Sequence, residues 1–190
     1  MSNSLTEVGT DSMLVFKGTH GTTISAAQDI TLHNSFQKTK EGYAGSGVYF
    51  WRYNNEYAKD LAVCWYNSRV RKGKFRENEG AVIYVDIRVK EDEFLDLETP
   101  FMKDIFGTFA MMQLDENDDI REQKGAMYDL FIEQLEKNTG MKYKVFQIRI
   151  PPPKRCHTYS KLHLLLGDPL CYVVRDENCI SLEKIEEIKR

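Results

Sequence analysis

The run Gly42–Trp51, "GYAGSGVYFW", restricts the fold more than any other stretch of the chain. Glycines at 42, 45 and 47 lead straight into Val48-Tyr49-Phe50-Trp51, so the backbone must turn sharply and then enter a buried strand. The order of elements decides what these glycines are not. A dinucleotide-binding turn is Gly-x-Gly-x-x-Gly after a strand and before a helix, whereas here Gly-x-x-Gly-x-Gly comes before a strand. The lysine of a P-loop is missing as well. The glycines therefore cradle phosphate by neither device. Two readings stay open: a tight turn ahead of a core strand, or a backbone that lets a flat ligand approach the aromatic wall.

At 190 residues the chain suffices for one domain with a substantial core. No repeat or linker-like stretch divides it, so a single α+β domain over 1–190 is expected, with 1–11 loose. The formal net charge is −3 with both signs interspersed, which excludes a histone-like polybasic binder and leaves a local basic site open. The segment "MSNSLTEVGTDSMLVFK" has neither a basic region nor an apolar stretch of leader type. No apolar run approaches the ~20 residues that span a bilayer. A cytoplasmic protein without membrane partners is the expectation. Cys64, Cys156, Cys171 and Cys179 lie at scattered spacings and read as reduced thiols. Cys156, His157, His163, Cys171 and Cys179 contain no CxxC or HxxxH pair, so no metal is expected.

Periodicity lays out the elements. Met13–Lys17 has strand character, and Thr23–Leu32 carries Ile24, Ala27 and Ile30 at helical spacing. Val48–Trp51 is a short strand, and Asn54 can cap a helix whose apolar side holds Tyr57, Ala58, Leu61, Ala62 and Trp65. Ala81–Val89 alternates as a strand does, and Glu93–Leu97 is a shorter one. Pro100 opens a helix through Met112, "DENDD" is a solvated loop, and Arg121–Lys137 is an amphipathic helix with Ala126, Leu130, Ile132 and Leu135 on its apolar side. Tyr143–Ile150 is a strand stopped by three prolines. Leu170–Arg175 is the last strand, after which Ser181 caps a terminal helix.

Ahead of the glycine run, His20-Gly21-Thr22 follows the first strand, with the Ala27/Ile30 helix in between. The order "HGT…A..I…F…G..G.GVYF" resembles the nicotinamide-pocket half of the ADP-ribosyltransferase superfamily, on the branch of poly(ADP-ribose) polymerases and bacterial toxin-type transferases. The likeness covers Met13–Ala62 and, more weakly, the last strand. It implies a split, mainly antiparallel sheet with flanking helices, and NAD as substrate. By that resemblance the Gly21 backbone bonds the nicotinamide carboxamide, His20 holds a ribose hydroxyl, and Tyr49 stacks on the nicotinamide ring; Thr22, Gly47 and Tyr57 complete the dinucleotide site. A second aromatic is expected from the following helix, where Asp60 stands instead, leaving Tyr57, Tyr53 or Phe36 to supply it.

The third family motif is a glutamate opening the last strand, and Cys171 occupies that position. A carboxylate there would stabilise the positive charge left on the ribose when nicotinamide departs. A thiol, mostly neutral near pH 7, is a poor replacement. Three outcomes fit: another acid from a loop, among Glu177, Glu93 and Glu79; an acceptor that needs no base; or a pocket kept after the reaction was lost. The acceptor is expected to be RNA, DNA or protein. The region "PPPKRCHTYSKLHLLLGDP" offers Lys154, Arg155, His157, Lys161 and His163 around Tyr159 for a nucleic acid, or a solvated loop anchored by Leu164–Leu166. Arg69, Arg71, Lys72, Lys74 and Arg76 close a helix, where positive charge also suits the helix dipole. Chains of this size and pattern resemble toxins held in check by an inhibitory protein partner. The resemblance also leaves room for an NAD glycohydrolase or an NAD-binding module without turnover.

Overall fold

A computed structural model describes residues 12–40, 42–53, 56–114, 120–156 and 165–189. The loose stretch 1–11, the Asn54 cap, the "DENDD" loop and His157, Tyr159, Lys161 and His163 fall outside them. Among the described residues seven strands form one open, mixed sheet in an α+β arrangement with four α-helices. In chain order the elements are β1 (Met13–Thr23), α1 (Ile24–His33), β2 (Val48–Arg52), α2 (Glu56–Arg71), β3 (Gly80–Lys90), β4 (Phe94–Asp96), α3 (Pro100–Gln113), α4 (Ile120–Thr139), β5 (Val145–Arg149), β6 (Leu170–Val174) and β7 (Ile180–Glu187). The strands lie side by side as β4-β5-β6-β2-β1-β3-β7. Only β4 and β5 run parallel; the other neighbours are antiparallel.

The sheet is buried on both faces, as alternation along the strands requires. One face presents Trp51, Val82, Tyr84, Phe146, Cys171 and Val173 to α2 and α4. The other presents Phe50, Ile83, Val85, Val145, Tyr172 and Val174 to α1, whose Ala27 and Ile30 are buried. Local chemistry sets the helix starts. Thr23 Oγ1 accepts from Ala26 N–H (3.2 Å), and Thr99 does the same for Met102 (3.2 Å) just ahead of Pro100. No helix among the described residues is long and apolar enough to cross a membrane.

The strand expected to end at Lys17 runs on to Thr23, so His20, Gly21 and Thr22 lie within β1 and do not follow it. Four further sequence expectations need correction. Ile180–Glu187 is an edge strand and not a helix capped by Ser181; it pairs along β3 with a bulge at Tyr84/Val85. In α4 the core side is Tyr128, Phe131 and Ile132, while Ala126 and Leu130 are exposed, because Tyr128 stacks on Phe106 of α3 at 4.4 Å. Cys64 and Cys156 are joined in a disulfide with their Cα atoms 5.4 Å apart, so only Cys171 and Cys179 are free thiols. Leu165 and Leu166, expected to anchor the loop before β6, are exposed, and Leu164 lies outside the described residues.

β1 and β2 share only a short ladder. They pair only at Gly18↔Arg52 and Thr19↔Trp51, although β1 continues to Thr23 along β3 and β2 starts at Val48 along β6. Beyond Thr19 the two strands splay, and the space between them opens.

Candidate functional site

The splay forms a cleft of about 700 Å³ that crosses the sheet from the α1 side to the α2 side. Its lining includes His20, Gly21, Thr22, Gly47, Tyr49 and Cys171, six positions singled out from the sequence. Tyr57, in the first turn of α2, does not line it and packs half-buried against the core; Tyr53 meets Tyr84 edge-on at 5.3 Å. Phe36 alone of the three aromatic substitutes stands on the cleft, on the α1 side.

Backbone alternation gives Gly21 a chemical role. Tyr53 N–H donates to Lys17 C=O (2.8 Å), so the peptide groups of residues 17, 19 and 21 face β2. Continued, that register would set Gly21 opposite Tyr49, but the ladder stops at Thr19. The N–H and C=O of Gly21 therefore face the cleft, one donor and one acceptor side by side. On its other side Gly21 lies flat against α2, where an added Cβ would come 1.9 Å from the carbonyl oxygen of Ala62. A glycine is required here by helix packing, whatever the cleft holds.

His20 and Tyr49 project to opposite faces of the pleat, and both edge the cleft because the strands have parted. The His20 ring contacts Phe50 at 5.7 Å, and its Nδ1–H donates to the Tyr49 carbonyl (2.8 Å). Loss of water holds the imidazole below its ordinary pKa, partly offset by that hydrogen bond, so the ring stays neutral and Nε2 remains an acceptor. A half-buried neutral histidine must be compared with an unfolded one that protonates near pH 6.5. The unfolded chain then binds the extra proton first, so the His20 contribution is complete above about pH 6.5 and declines as pH falls toward the lower folded value. Urea unfolding at pH 7.5 and 5.5 is expected to show this acid-side loss in the wild type and a smaller one in His20→Asn, whose amide can still donate to Tyr49.

Tyr49 is fixed by the glycine turn. Its hydroxyl donates to Gly45 C=O (2.6 Å) and accepts from Ala44 N–H (2.9 Å), and burial raises its pKa above the ordinary phenol range. Gly45 has φ 97°, a conformation that favours glycine. The turn is secured from below by Asp129 of α4, whose carboxylate accepts from Ser46 N–H (2.9 and 3.0 Å) and from Ser46 Oγ–H (3.0 Å). Gly47 and Thr39 exchange two backbone hydrogen bonds of 3.0 Å each, closing the loop against the α1 side. Asp129→Ala is expected to cost about 2 kcal/mol by removing charge-assisted bonds. At this chain length that is roughly 4–8 °C of melting temperature, readable by calorimetry.

Cys171 lies across from Trp51 and Ile148 at 1 % exposure, with its thiol directed to the Tyr172 carbonyl (3.6 Å). Burial raises the thiol pKa far beyond its usual range, so this position offers neither charge nor base. None of the three glutamates named as substitutes lines the cleft. Glu93 pairs with Lys144 (2.6 Å). Glu79 takes part through its backbone, accepting from Ile24 N–H (2.7 Å). Glu177 accepts from Phe36 N–H (3.1 Å) and Ser35 Oγ–H (3.3 Å), shaping the loop behind the cleft. The lining carboxylate that sequence reasoning missed is Asp29 of α1; among the described residues no group of three or more potential metal ligands gathers anywhere.

The sequence also passed over Trp65 and Phe75 as wall residues. Both line the cleft together with Arg69, Pro151 and Pro153. Trp65, expected on the apolar side of its helix, is 40 % exposed. Compared with known proteins, the chain matches no family model and no curated sequence.

Proposed function

We propose that the cleft binds NAD and that the protein transfers ADP-ribose to a macromolecular acceptor, releasing nicotinamide, on an ADP-ribosyltransferase-like fold. The observation that carries this reading is the open rung at Gly21. A primary carboxamide offers one C=O and one N–H₂, the complement of the N–H and C=O that Gly21 turns to the cleft, and the Tyr49 ring edges the same cleft. A flat ring bearing a carboxamide is therefore the ligand class these groups suit. His20, neutral and with Nε2 as acceptor, suits a sugar hydroxyl.

In the reaction the bond from ribose C1′ to the nicotinamide nitrogen breaks, and its electron pair neutralises the pyridinium. A lone pair of the acceptor forms the new bond to C1′, and the acceptor's proton passes to solvent. The protein's part is to orient both reactants and to exclude water from the cationic sugar. One observation favours a second reading, binding without turnover: the neutral, buried thiol of Cys171 stands where the resembled family has its carboxylate.

Incubation of the pure protein with NAD labelled in the adenylate portion, with and without cell lysate, separates the readings. Label made soluble by nuclease or by protease identifies a transferase and its acceptor class. Free nicotinamide without label transfer identifies a glycohydrolase. Calorimetric binding of NAD with no product identifies the second reading, and the absence of binding and product alike rejects the site.

A further inference from the structure

The wall of the cleft on the α2 side has features that the dinucleotide reading leaves unused. Counted at 100° per residue, Trp65 points to the same side of α2 as the buried Leu61, Ala62 and Tyr66, yet it is 40 % exposed. It overhangs the splay, where the sheet no longer lies beneath the helix. The Arg69 guanidinium, one turn further on, lies 5.4 Å from the Trp65 ring centre and 6.0 Å from that of Phe75. Phe75 is held in turn by stacking on Tyr66 at 5.9 Å, and the Tyr66 hydroxyl donates to Arg76 C=O (2.6 Å) and accepts from Glu79 N–H (3.1 Å). The aromatic edge of the cleft is thus held in place before any ligand arrives.

Cations cluster in the chain along that edge. From Arg69 to Arg76 the chain carries five cations and no carboxylate, within a protein whose net charge is −3. Lys154 and Arg155 come from the segment after β5, which is tied to α2 twice: Arg71 Nη2–H donates to Lys154 C=O (2.8 Å), and Cys64 is bonded to Cys156. A helix dipole accounts for Arg69 and Arg71 in the last turn. Its reach ends there, so it leaves Lys72, Lys74 and Arg76 beyond the helix, and the second segment, unexplained.

Resting on the transferase reading, we propose that this wall is the acceptor subsite and that it takes single-stranded nucleic acid, one base against Trp65 and the adjoining phosphates along Arg71, Lys72, Lys74 and Lys154. An exposed indole flanked by cations at a cleft edge suits an unstacked base followed by its backbone. An acidic peptide would use the cations and leave the indole without purpose.

The test is fluorescence anisotropy with a fluorescein-labelled, mixed-sequence single strand, as RNA and as DNA, without NAD and over a series of salt concentrations. Calorimetry with NAD and assay of nicotinamide release run in parallel. Expected is binding whose affinity falls with salt at a slope of about −2 to −3 for three to four phosphate contacts. Trp65→Ala should weaken the strand roughly 5- to 100-fold, with Trp65→Phe retaining most of the affinity. Lys72→Glu with Lys74→Glu should flatten the salt slope. No strand binding by a protein that still binds or cleaves NAD overturns the subsite and leaves the transferase reading standing. Loss of NAD affinity in Trp65→Ala, with strand binding untouched, gives the wall to the adenine end and also overturns it. Strand binding that depends on Trp65 in a protein indifferent to NAD upholds the wall as a single-strand site and overturns both the transferase reading and the wall's role as its acceptor subsite.

Discussion

If the protein releases nicotinamide as proposed, replacing Tyr49 with alanine is expected to lower kcat/KM for that release by about 100-fold, and replacing it with phenylalanine by less than about tenfold. The phenol ring edges the cleft opposite Gly21 in the continued register, and its hydroxyl is gripped by the glycine turn through Gly45 and Ala44. Alanine removes the stacking face, worth about 0.5–1.5 kcal/mol beyond burial, together with the constraint that aligns the ring with the scissile bond. Together they approach the roughly 2.7 kcal/mol that a 100-fold change represents. Phenylalanine keeps the face and loses only two hydrogen bonds, each worth about 1 kcal/mol and felt mainly as stability. Comparing both variants in activity and in melting temperature separates the two roles. If Tyr49→Ala, still folded, releases nicotinamide within twofold of the wild type, Tyr49 does not hold the ring and the site has been assigned wrongly.

The sequence made the inner part of this structure legible because inner elements announce themselves twice, by pattern and by punctuation. "AVIYVDIRV" alternates as a strand does and forms β3, and the three prolines after Ile150 stop β5. The edge strand β7 did not announce itself. The bulge opposite Tyr84/Val85 absorbs one residue, so Ile180 and Leu182 keep a period of two and Ile185 falls out of phase, which imitates a helical pattern. In α4 Ile132 and Leu135 pack against the core as expected, whereas Ala126 and Leu130 face outward, because Asp129, polar and pointed at Ser46, serves the glycine turn and is invisible to a count of apolar positions. The Cys64–Cys156 bond joins residues 92 apart, and spacing alone carries no pairing information over such a distance. Trp65 was placed on the correct side of its helix and wrongly buried, because nothing local reveals that β1 and β2 part company beneath it. His20, Gly21 and Tyr49 converge on one cleft by a property of register, the early end of the β1–β2 ladder, which is a long-range fact.

Gly21→Ala is expected to lower stability by about 3 kcal/mol, or roughly 6–12 °C of melting temperature. The reason is a match of repeats between a strand and the helix lying along it. Thr19 Oγ1–H donates to Ala58 C=O (2.9 Å), and two residues later Gly21 meets the carbonyl of Ala62, four residues further along α2. Two strand residues advance about 6.6 Å and four helical residues about 6 Å, so the helix rides β1 in step, with carbonyls against the strand. A Cβ placed 1.9 Å from the Ala62 oxygen meets backbone, which cannot rotate aside as a side chain would. The helix must lift, breaking the Thr19 bond and moving Trp65 over the cleft. Gly107→Ala in α3 is the control: nothing lies within 4 Å of its added Cβ, and the same methyl there should stabilise by about 0.5–1 kcal/mol through helix propensity. Because alanine keeps the N–H and C=O of residue 21, variant protein that remains folded at low temperature should still bind NAD, with weaker affinity. A melting temperature for Gly21→Ala equal to that of the wild type would mean that α2 does not rest on β1 at this height, and the cleft wall that depends on that contact would have to be redrawn.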